Sequence, residues 1–103
     1  MIKVSVFYPY QPNARFDMTY YCDQHMPLVL RLLGPAAKNV AVDQGLSGGT
    51  PGSTPLYVAL GHLYFESVPA FVEAWTPHAA QIIADIPNYT NLQPQLQVSE
   101  VKL

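Results

Sequence analysis

The sequence predicts an α+β domain in which a four-stranded antiparallel sheet carries two helices on one face. Three observations lead to this class. The chain has 103 residues, a length that suits one core, so residues 1–103 are expected to fold as a single domain. Hydrophobic residues make up 50% of it, enough to fill that core. Segments with the period of strands and segments with the period of helices follow one another in the order β-α-β-β-α-β.

The first strand is predicted over Ile2–Tyr8, where β-branched and aromatic residues are frequent, and Pro9 ends it. Asp17 is a suitable N-cap for the helix that follows, and Gly34 is a suitable stop. Residues at helical spacing form the predicted buried stripe of this helix: Met18, Tyr21, Cys22, His25, Val29, Leu32 and Leu33.

The second half begins with a strand over Lys38–Asp43, a loop rich in glycine and proline, and a strand over Leu56–Phe65. Ser67 is placed to cap the second helix. Pro77 interrupts this helix, and Thr76 is expected to cap the restart.

This order, closed by a strand over Gln95–Leu103, is the ferredoxin-like arrangement, whose helices cover one face of the sheet. Both faces of the third strand are predicted to be apolar, with Leu56, Val58 and Leu60 on one and Tyr57, Ala59, Leu63 and Phe65 on the other. Charged residues are only 12% of the chain, a low share for a soluble domain. A second copy of the sheet is the simplest cover for the open face, so we expect a homodimer packed sheet to sheet.

The charge pattern excludes two classes of partner. The formal net charge is −2 and the five Lys and Arg residues are scattered, so no nucleic-acid surface is expected. The longest apolar stretch, Met26–Leu33, is too short to cross a bilayer, so no membrane partner is expected. No signal-peptide pattern is visible, which predicts a cytoplasmic protein. The single cysteine, Cys22, allows neither an internal disulfide nor a cysteine-based zinc site.

Three stretches of the chain resemble the EthD family: Phe16-Asp17-x-x-Tyr20-Tyr21-x-x-x-His25-x-Pro27-Leu28, then Leu63-x-Phe65-x-Ser67, and then Asp85-Ile86-Pro87-Asn88-Tyr89-Thr90. The resemblance covers nearly the whole chain. It implies a dimeric α+β barrel, in which two ferredoxin-like sheets face each other. The family is named after a protein needed for the bacterial degradation of ethyl tert-butyl ether. Its barrel relatives include cofactor-free monooxygenases, muconolactone isomerases and polyketide cyclases.

His25 is the leading catalytic candidate. Its spacing from Tyr21 and Val29 places it on the buried stripe, facing the sheet. Pro27 has no N–H, so the carbonyl of Asp23 loses its helical partner and a polar, partly unwound patch is expected there. A histidine in such a place can act as a general base. The alternative is a core histidine satisfied by a backbone group.

Other polar and aromatic side chains are candidates for binding a substrate: Tyr8, Tyr21, His62, Tyr64, Trp75 and His78. Tyrosine and tryptophan combine an apolar ring with one polar group, which suits a pocket for an aromatic or bulky apolar molecule. The face of the sheet that His62 and Tyr64 occupy stays open at this stage. The three histidines lack the spacing of a metal site, so neither a metal nor another cofactor is expected.

Asp85 lies near a helix C-terminus, where the helix dipole disfavours an anion. Something must therefore compensate its charge. We expect the carboxylate to cap the backbone N–H groups of Asn88 and Tyr89, with service to the site as the alternative.

Two functions are compatible with these residues. The first is a cofactor-independent enzyme in a degradation or secondary-metabolite pathway, which binds a small apolar or aromatic molecule between sheet and helices. It would carry out an oxidation, isomerisation, cyclisation or decarboxylation with His25 as the base. The second is a non-catalytic binding or accessory protein for an ether-degrading oxygenase system.

Overall fold

The computed structural model describes all 103 residues. Four strands form one antiparallel sheet: β1 (Ile2–Pro9), β2 (Asn39–Gln44), β3 (Tyr57–Phe65) and β4 (Gln95–Glu100). The first helical segment consists of α1 (Met18–Tyr20), a π-helical turn (Tyr21–His25) and α2 (Met26–Leu33), and the second consists of α3 (Val68–Trp75) and α4 (Ala79–Asp85). Short 3₁₀ turns follow at Gly34–Ala36 and Ile86–Asn88.

The strand order is β2-β3-β1-β4, and all neighbouring strands are antiparallel. This confirms the predicted ferredoxin-like fold. The core lies between the sheet and the helices, where alternate residues of β1 and β3 meet the helical segments. The buried apolar side chains of these two strands are Ile2, Val4, Tyr8, Ala59, Leu63 and Phe65.

Two of the predicted caps are confirmed and one is wrong. Asp17 accepts a hydrogen bond from the backbone N–H of Tyr20, and Ser67 accepts one from that of Ala70. Thr76 does not begin a helix, because its hydroxyl donates to the carbonyl of Val72 and closes the end of α3. The residue that precedes α4 is His78, which forms no side-chain capping bond.

The first helical segment contains one widened turn before Pro27, at the place where the sequence predicts partial unwinding. The backbone N–H of Met26 donates to the carbonyl of Tyr21, five residues back, so a π turn forms directly before Pro27. Proline can neither donate there nor tolerate the carbonyl four residues before it, and a widened turn relieves both problems. The buried stripe consequently passes through Tyr21, His25, Met26, Val29 and Leu33, and Cys22 is exposed instead of buried.

The alternation of β3 is broken at its start. The register with β1 shifts between Tyr8 and Pro9, and the ring of Tyr57 packs against Phe7 at 5.2 Å between centroids. Tyr57 therefore lies on the open face of the sheet, away from the helices, and not with Ala59 as expected. The open face mixes polar and apolar groups, because Ser5 and His62 lie opposite each other on it. None of the helices is long and apolar enough to span a membrane.

Candidate active site between the sheet and the helices

A cavity of about 660 Å³ lies between the sheet and the two helical segments. Its walls are mainly apolar and come from β1, β3, α2, α4 and the segment that leads into β4. The predicted site residues Tyr8, Tyr21, His25 and Trp75 line it, together with Met26, Val29, Leu63, Ile82, Ile83, Ile86, Leu92 and Leu96 among others. A volume of this size holds a small organic molecule.

The π turn stacks Tyr21 on His25. Their ring centroids are 5.5 Å apart and their planes differ by 14°. Gly61 of β3 makes this arrangement possible, because a Cβ atom at that position would collide with the hydroxyl of Tyr21. A glycine inside a strand is costly unless another group must approach the backbone closely, as Tyr21 does here.

Asp85 orients the imidazole of His25. Its Oδ2 lies 2.8 Å from Nδ1 of His25, and its Oδ1 accepts hydrogen bonds from the hydroxyl of Tyr20 and the amide of Asn88. A carboxylate can only accept, so Nδ1 carries the proton and Nε2 carries the lone pair. This is the second of the two roles considered for Asp85, and the expected backbone cap does not form.

A chain of hydroxyls reaches the free nitrogen of His25. The hydroxyl of Tyr89 lies 3.3 Å from Nε2, and the hydroxyl of Tyr8 lies 2.7 Å from that of Tyr89. Because Nε2 accepts, Tyr89 donates to it, and Tyr8 in turn donates to Tyr89. The bond from Tyr89 is longer than is usual for a hydrogen bond to nitrogen.

Two contacts hold Tyr89 under the first helical segment. The backbone N–H of Asp17 donates to the carbonyl of Tyr89 at 2.8 Å, and Phe16 forms a β-bridge with Thr90. The loop after α4 is thus tied to the residues that begin α1. This tie places Asp85 and Tyr89 on either side of the imidazole of His25.

The surroundings fix the protonation state of each group at neutral pH. Burial lowers the pKa of His25 below its ordinary value, although the hydrogen bond to Asp85 opposes this effect. Burial alone would raise the pKa of Asp85, but hydrogen bonds from His25, Asn88 and Tyr20 bring it below its ordinary value. Burial also raises the pKa values of Tyr8, Tyr21 and Tyr89 far above the ordinary range. His25 is therefore neutral, Asp85 is ionised, and the tyrosines remain phenols.

The other sequence candidates lie outside the cavity. His62 and Tyr64 are on the open face of the sheet, where His62 contacts Ser5 and Asp43 and the ring of Tyr64 lies under Lys3. His78 lies in the turn between α3 and α4 and does not line the cavity. No group of three or more His, Cys, Asp or Glu side chains is arranged to hold a metal ion.

Sequence reasoning did not select Tyr89 as a site residue and ranked Asp85 as a cap. Both belong to one short stretch, Asp85–Tyr89, whose carboxylate lies at an unfavourable helix end. That unfavourable position was the available signal for Asp85. No comparable signal marked Tyr89, because its nearness to His25 depends on the tie between the two chain segments.

Comparison with known proteins identifies the family. The sequence profile of the EthD domain matches residues 14–93, most of the chain. The chain belongs to the EthD family. An EthD-like protein from Ralstonia eutropha JMP134 is 46% identical, with a TM-score of 0.95, over 99% of this chain and 92% of that one. No match was found among the curated proteins.

More distant structures share the fold of this EthD chain. An EthD-family protein from Bacillus halodurans C-125 is 19% identical, with a TM-score of 0.74, over 99% of both chains. A dimeric ferredoxin-like protein of unknown function from Thermobifida fusca is 14% identical, with a TM-score of 0.58, over 97% of this chain and 90% of that one. At these identities the likeness concerns the fold alone.

Proposed function

We propose that this EthD protein is an enzyme in which His25 acts as the general base on a small apolar or aromatic molecule held in the cavity. The observation that carries the proposal is the His25–Asp85 pair at the wall of the cavity. There, Asp85 holds Nδ1 at 2.8 Å and leaves Nε2 as the acceptor. A neutral imidazole with a fixed tautomer is the form that removes a proton.

The proposed step moves one proton. A C–H or O–H bond of the bound molecule breaks, its proton goes to Nε2 of His25, and the electron pair stays on the molecule as an enolate or phenolate. The imidazolium that forms is stabilised by Asp85. Return of the proton to another atom completes an isomerisation or cyclisation. Reaction of the anion with molecular oxygen, which is reduced to a peroxide as the molecule is oxidised, gives an oxidation instead.

An uncharged aromatic probe tests this step without knowledge of the natural substrate. In nitrobenzisoxazole, removal of the ring C–H proton by a base breaks the N–O bond and releases a coloured cyanophenolate. We expect the protein to open this probe faster than an imidazole buffer does. We expect His25→Asn to lower the rate by about 100- to 10,000-fold, the usual contribution of a general base.

His62→Asn is the matched control, because it removes the histidine of the sheet, which does not line the cavity. This variant should keep the rate of the unaltered protein. A His25→Asn variant that is folded and still opens the probe at that rate would contradict the proposed function. The same holds for a wild-type chain that is no faster than buffer.

We also propose a homodimer packed sheet to sheet, working in the cytoplasm. The support is the open face, where the aromatic pair Phe7 and Tyr57 and the ring of Tyr64 have no helix above them. The related fold from Thermobifida fusca is described as dimeric. Light scattering should give twice the 11.4 kDa mass of the chain at micromolar concentration. A mass of one chain under these conditions would argue against the dimer.

The competing function is a carrier or accessory protein that binds an apolar molecule without transforming it. The apolar walls of the cavity favour it, as does the name of the family, which refers to ethyl tert-butyl ether degradation. The probe reaction separates the two functions. A carrier should bind apolar molecules equally well with and without His25 and should not open the probe.

A further inference from the structure

The cavity contains no charged side chain. The chain has five Lys and Arg and seven Asp and Glu residues, and none of them lines the cavity. The nearest charge that contacts a lining group is the carboxylate of Asp85, 2.8 Å from Nδ1 of His25. Its negative charge would repel an anion bound beside the imidazole. No cation within the cavity could compensate for this.

One cation lies beside the rim without lining the cavity. The guanidinium of Arg15 is exposed and donates to the carbonyl of the lining residue Pro87 at 3.2 Å. Two polar side chains of the rim are likewise engaged. The hydroxyl of Thr90 donates to the carbonyl of Arg15, and the amide group of Asn91 bonds the backbone of Arg15 and Asn13.

The buried polar groups of the interior are concentrated at one end, where Tyr8, Tyr21 and His25 line the wall and the hydroxyl of Tyr89 lies behind them. The remainder of the wall is mainly apolar, apart from the indole N–H of Trp75 and the exposed amide of Gln93 at the rim. We infer that the site selects uncharged molecules that have a single weakly acidic or polar group at the His25 end and an apolar body. It rejects carboxylates, phosphates and acyl thioesters of anionic carriers. This inference rests on the proposed function and names its substrate class.

The charge balance of the proposed step leads to the same class. A neutral substrate and a neutral imidazole become an anion and an imidazolium, so the cavity gains no net charge. A substrate with a second, permanent negative charge would place two anions and Asp85 around one imidazolium. Beside the buried imidazole of His25 this arrangement is unfavourable, because an isolated charge is costly to bury.

A pair of ligands that differ only in charge tests the selectivity by binding alone. Tetralin carboxylate and its primary amide have nearly the same shape. Trp75 is the single tryptophan and lines the cavity, so its fluorescence reports occupancy, and calorimetry gives an independent Kd. At neutral pH we expect the amide to bind at least about 10-fold more tightly than the carboxylate. Equal or tighter binding of the carboxylate, or no binding of either ligand, would overturn the inference.

Two variants sharpen the test. Leu96 lines the cavity and is half exposed, so Leu96→Lys can place an ammonium at the mouth. This change should strengthen carboxylate binding by at least about 10-fold. Val98 lies on the same face of β4 with similar exposure but outside the cavity, so Val98→Lys should leave both affinities unchanged. An equal gain in both variants would point to a general surface effect and count against the inference.

Two further variants separate this inference from the proposed function. His25→Asn should keep the preference for the amide while it loses the opening of nitrobenzisoxazole. If the protein does not prefer the amide over the carboxylate but needs His25 to open nitrobenzisoxazole, the inferred substrate class is wrong and the proposed function stands. If carboxylate binding is tight and disappears in Arg15→Ala, the rim cation is an anchor and the inference fails.

Discussion

A histidine–aspartate pair lies on each side of the sheet, and the two pairs differ in distance, in exposure and in access to the cavity. On the helix face, Nδ1 of His25 lies 2.8 Å from Asp85, and the two side chains are 5% and 14% exposed. On the open face, Nε2 of His62 lies 3.5 Å from Asp43, with side-chain exposures of 15% and 61%. The first pair lines a cavity and the second does not.

This difference shows that contact between a histidine and an aspartate is not enough to form a general base. A long pair with an exposed carboxylate, such as His62–Asp43, is screened by water and contributes little free energy. Burial of His25 lowers its pKa and keeps it neutral, while the short bond to Asp85 fixes its tautomer. Only the buried pair thus combines a defined lone pair with space for a ligand.

The largest contrast between the two pairs is expected when the aspartate of each pair is replaced in turn by asparagine. Asp85→Asn removes the charge that stabilises the imidazolium, and its amide can also bond Nδ1 in the wrong tautomer. We expect the opening of nitrobenzisoxazole to slow by about 100-fold or more. The pKa of His25, followed by NMR, should fall further, because Asp85 is the group that raises it.

Asp43→Asn is the matched control on the open face. It should change the rate by less than about twofold, since the carboxylate of Asp43 is mostly exposed and its contact with His62 is long. Equal losses in the two variants would mean that the faces are not functionally distinct.

The fold and the buried position of His25 were predictable from sequence, whereas the pairing of His25 with Asp85 was not. Strand and helix periods, together with Asp17, Ser67 and Gly34 as boundaries, determine the ferredoxin-like order. The position of His25 on the buried stripe follows from helical spacing. Its partner Asp85 is 60 residues away, and its approach requires the tie between the loop after α4 and the start of α1.

Local irregularities account for the remaining differences. The π turn before Pro27 changes which neighbours of His25 are buried, so Cys22 is exposed. The register shift beside Pro9 moves Tyr57 to the open face. Neither irregularity leaves a periodic signal, because each occurs once and replaces regular spacing over a single turn or pair of residues.

The next contrast concerns two neighbours in β3 that face opposite ways, Gly61 and His62. Gly61→Ala places a methyl group against the hydroxyl of Tyr21, a buried side chain that must shift to make room for it. We expect a loss of about 1–3 kcal/mol in the free energy of unfolding, measured in urea, as is usual for overpacking.

A double-mutant cycle assigns this loss to the hydroxyl. In a Tyr21→Phe background the same Gly61→Ala change should cost clearly less, because the colliding atom is gone. Equal costs in both backgrounds would show that the strand itself, and not the approach of Tyr21, requires glycine at this position.

A smaller effect is expected in the response of stability to acid. Burial lowers the pKa of His25 from 6.5, so the unfolded chain takes up this proton more readily than the folded chain. The corresponding stability is complete above pH 6.5 and is lost as the pH falls through the lowered pKa. Asp85, whose pKa is lowered from 3.8, adds a second loss in more acidic solution. As the pH falls from 6.5 to the lowered pKa of His25, the urea midpoint should decline less steeply in His25→Asn than in the unaltered chain.

The smallest effect is expected from Ser5→Ala on the open face. The hydroxyl of Ser5 lies 2.9 Å from Nδ1 of His62, and Ser5 itself is almost fully buried. Loss of this bond should lower the free energy of unfolding by about 1 kcal/mol, the usual net value of one hydrogen bond. The rate of nitrobenzisoxazole opening should not change, because β1 separates Ser5 from the cavity and sends only its alternate residues, such as Tyr8, toward His25. A fall in rate that exceeds the loss of folded protein would show that the two histidine–aspartate pairs communicate through the sheet, and the contrast between the faces would then have to be abandoned.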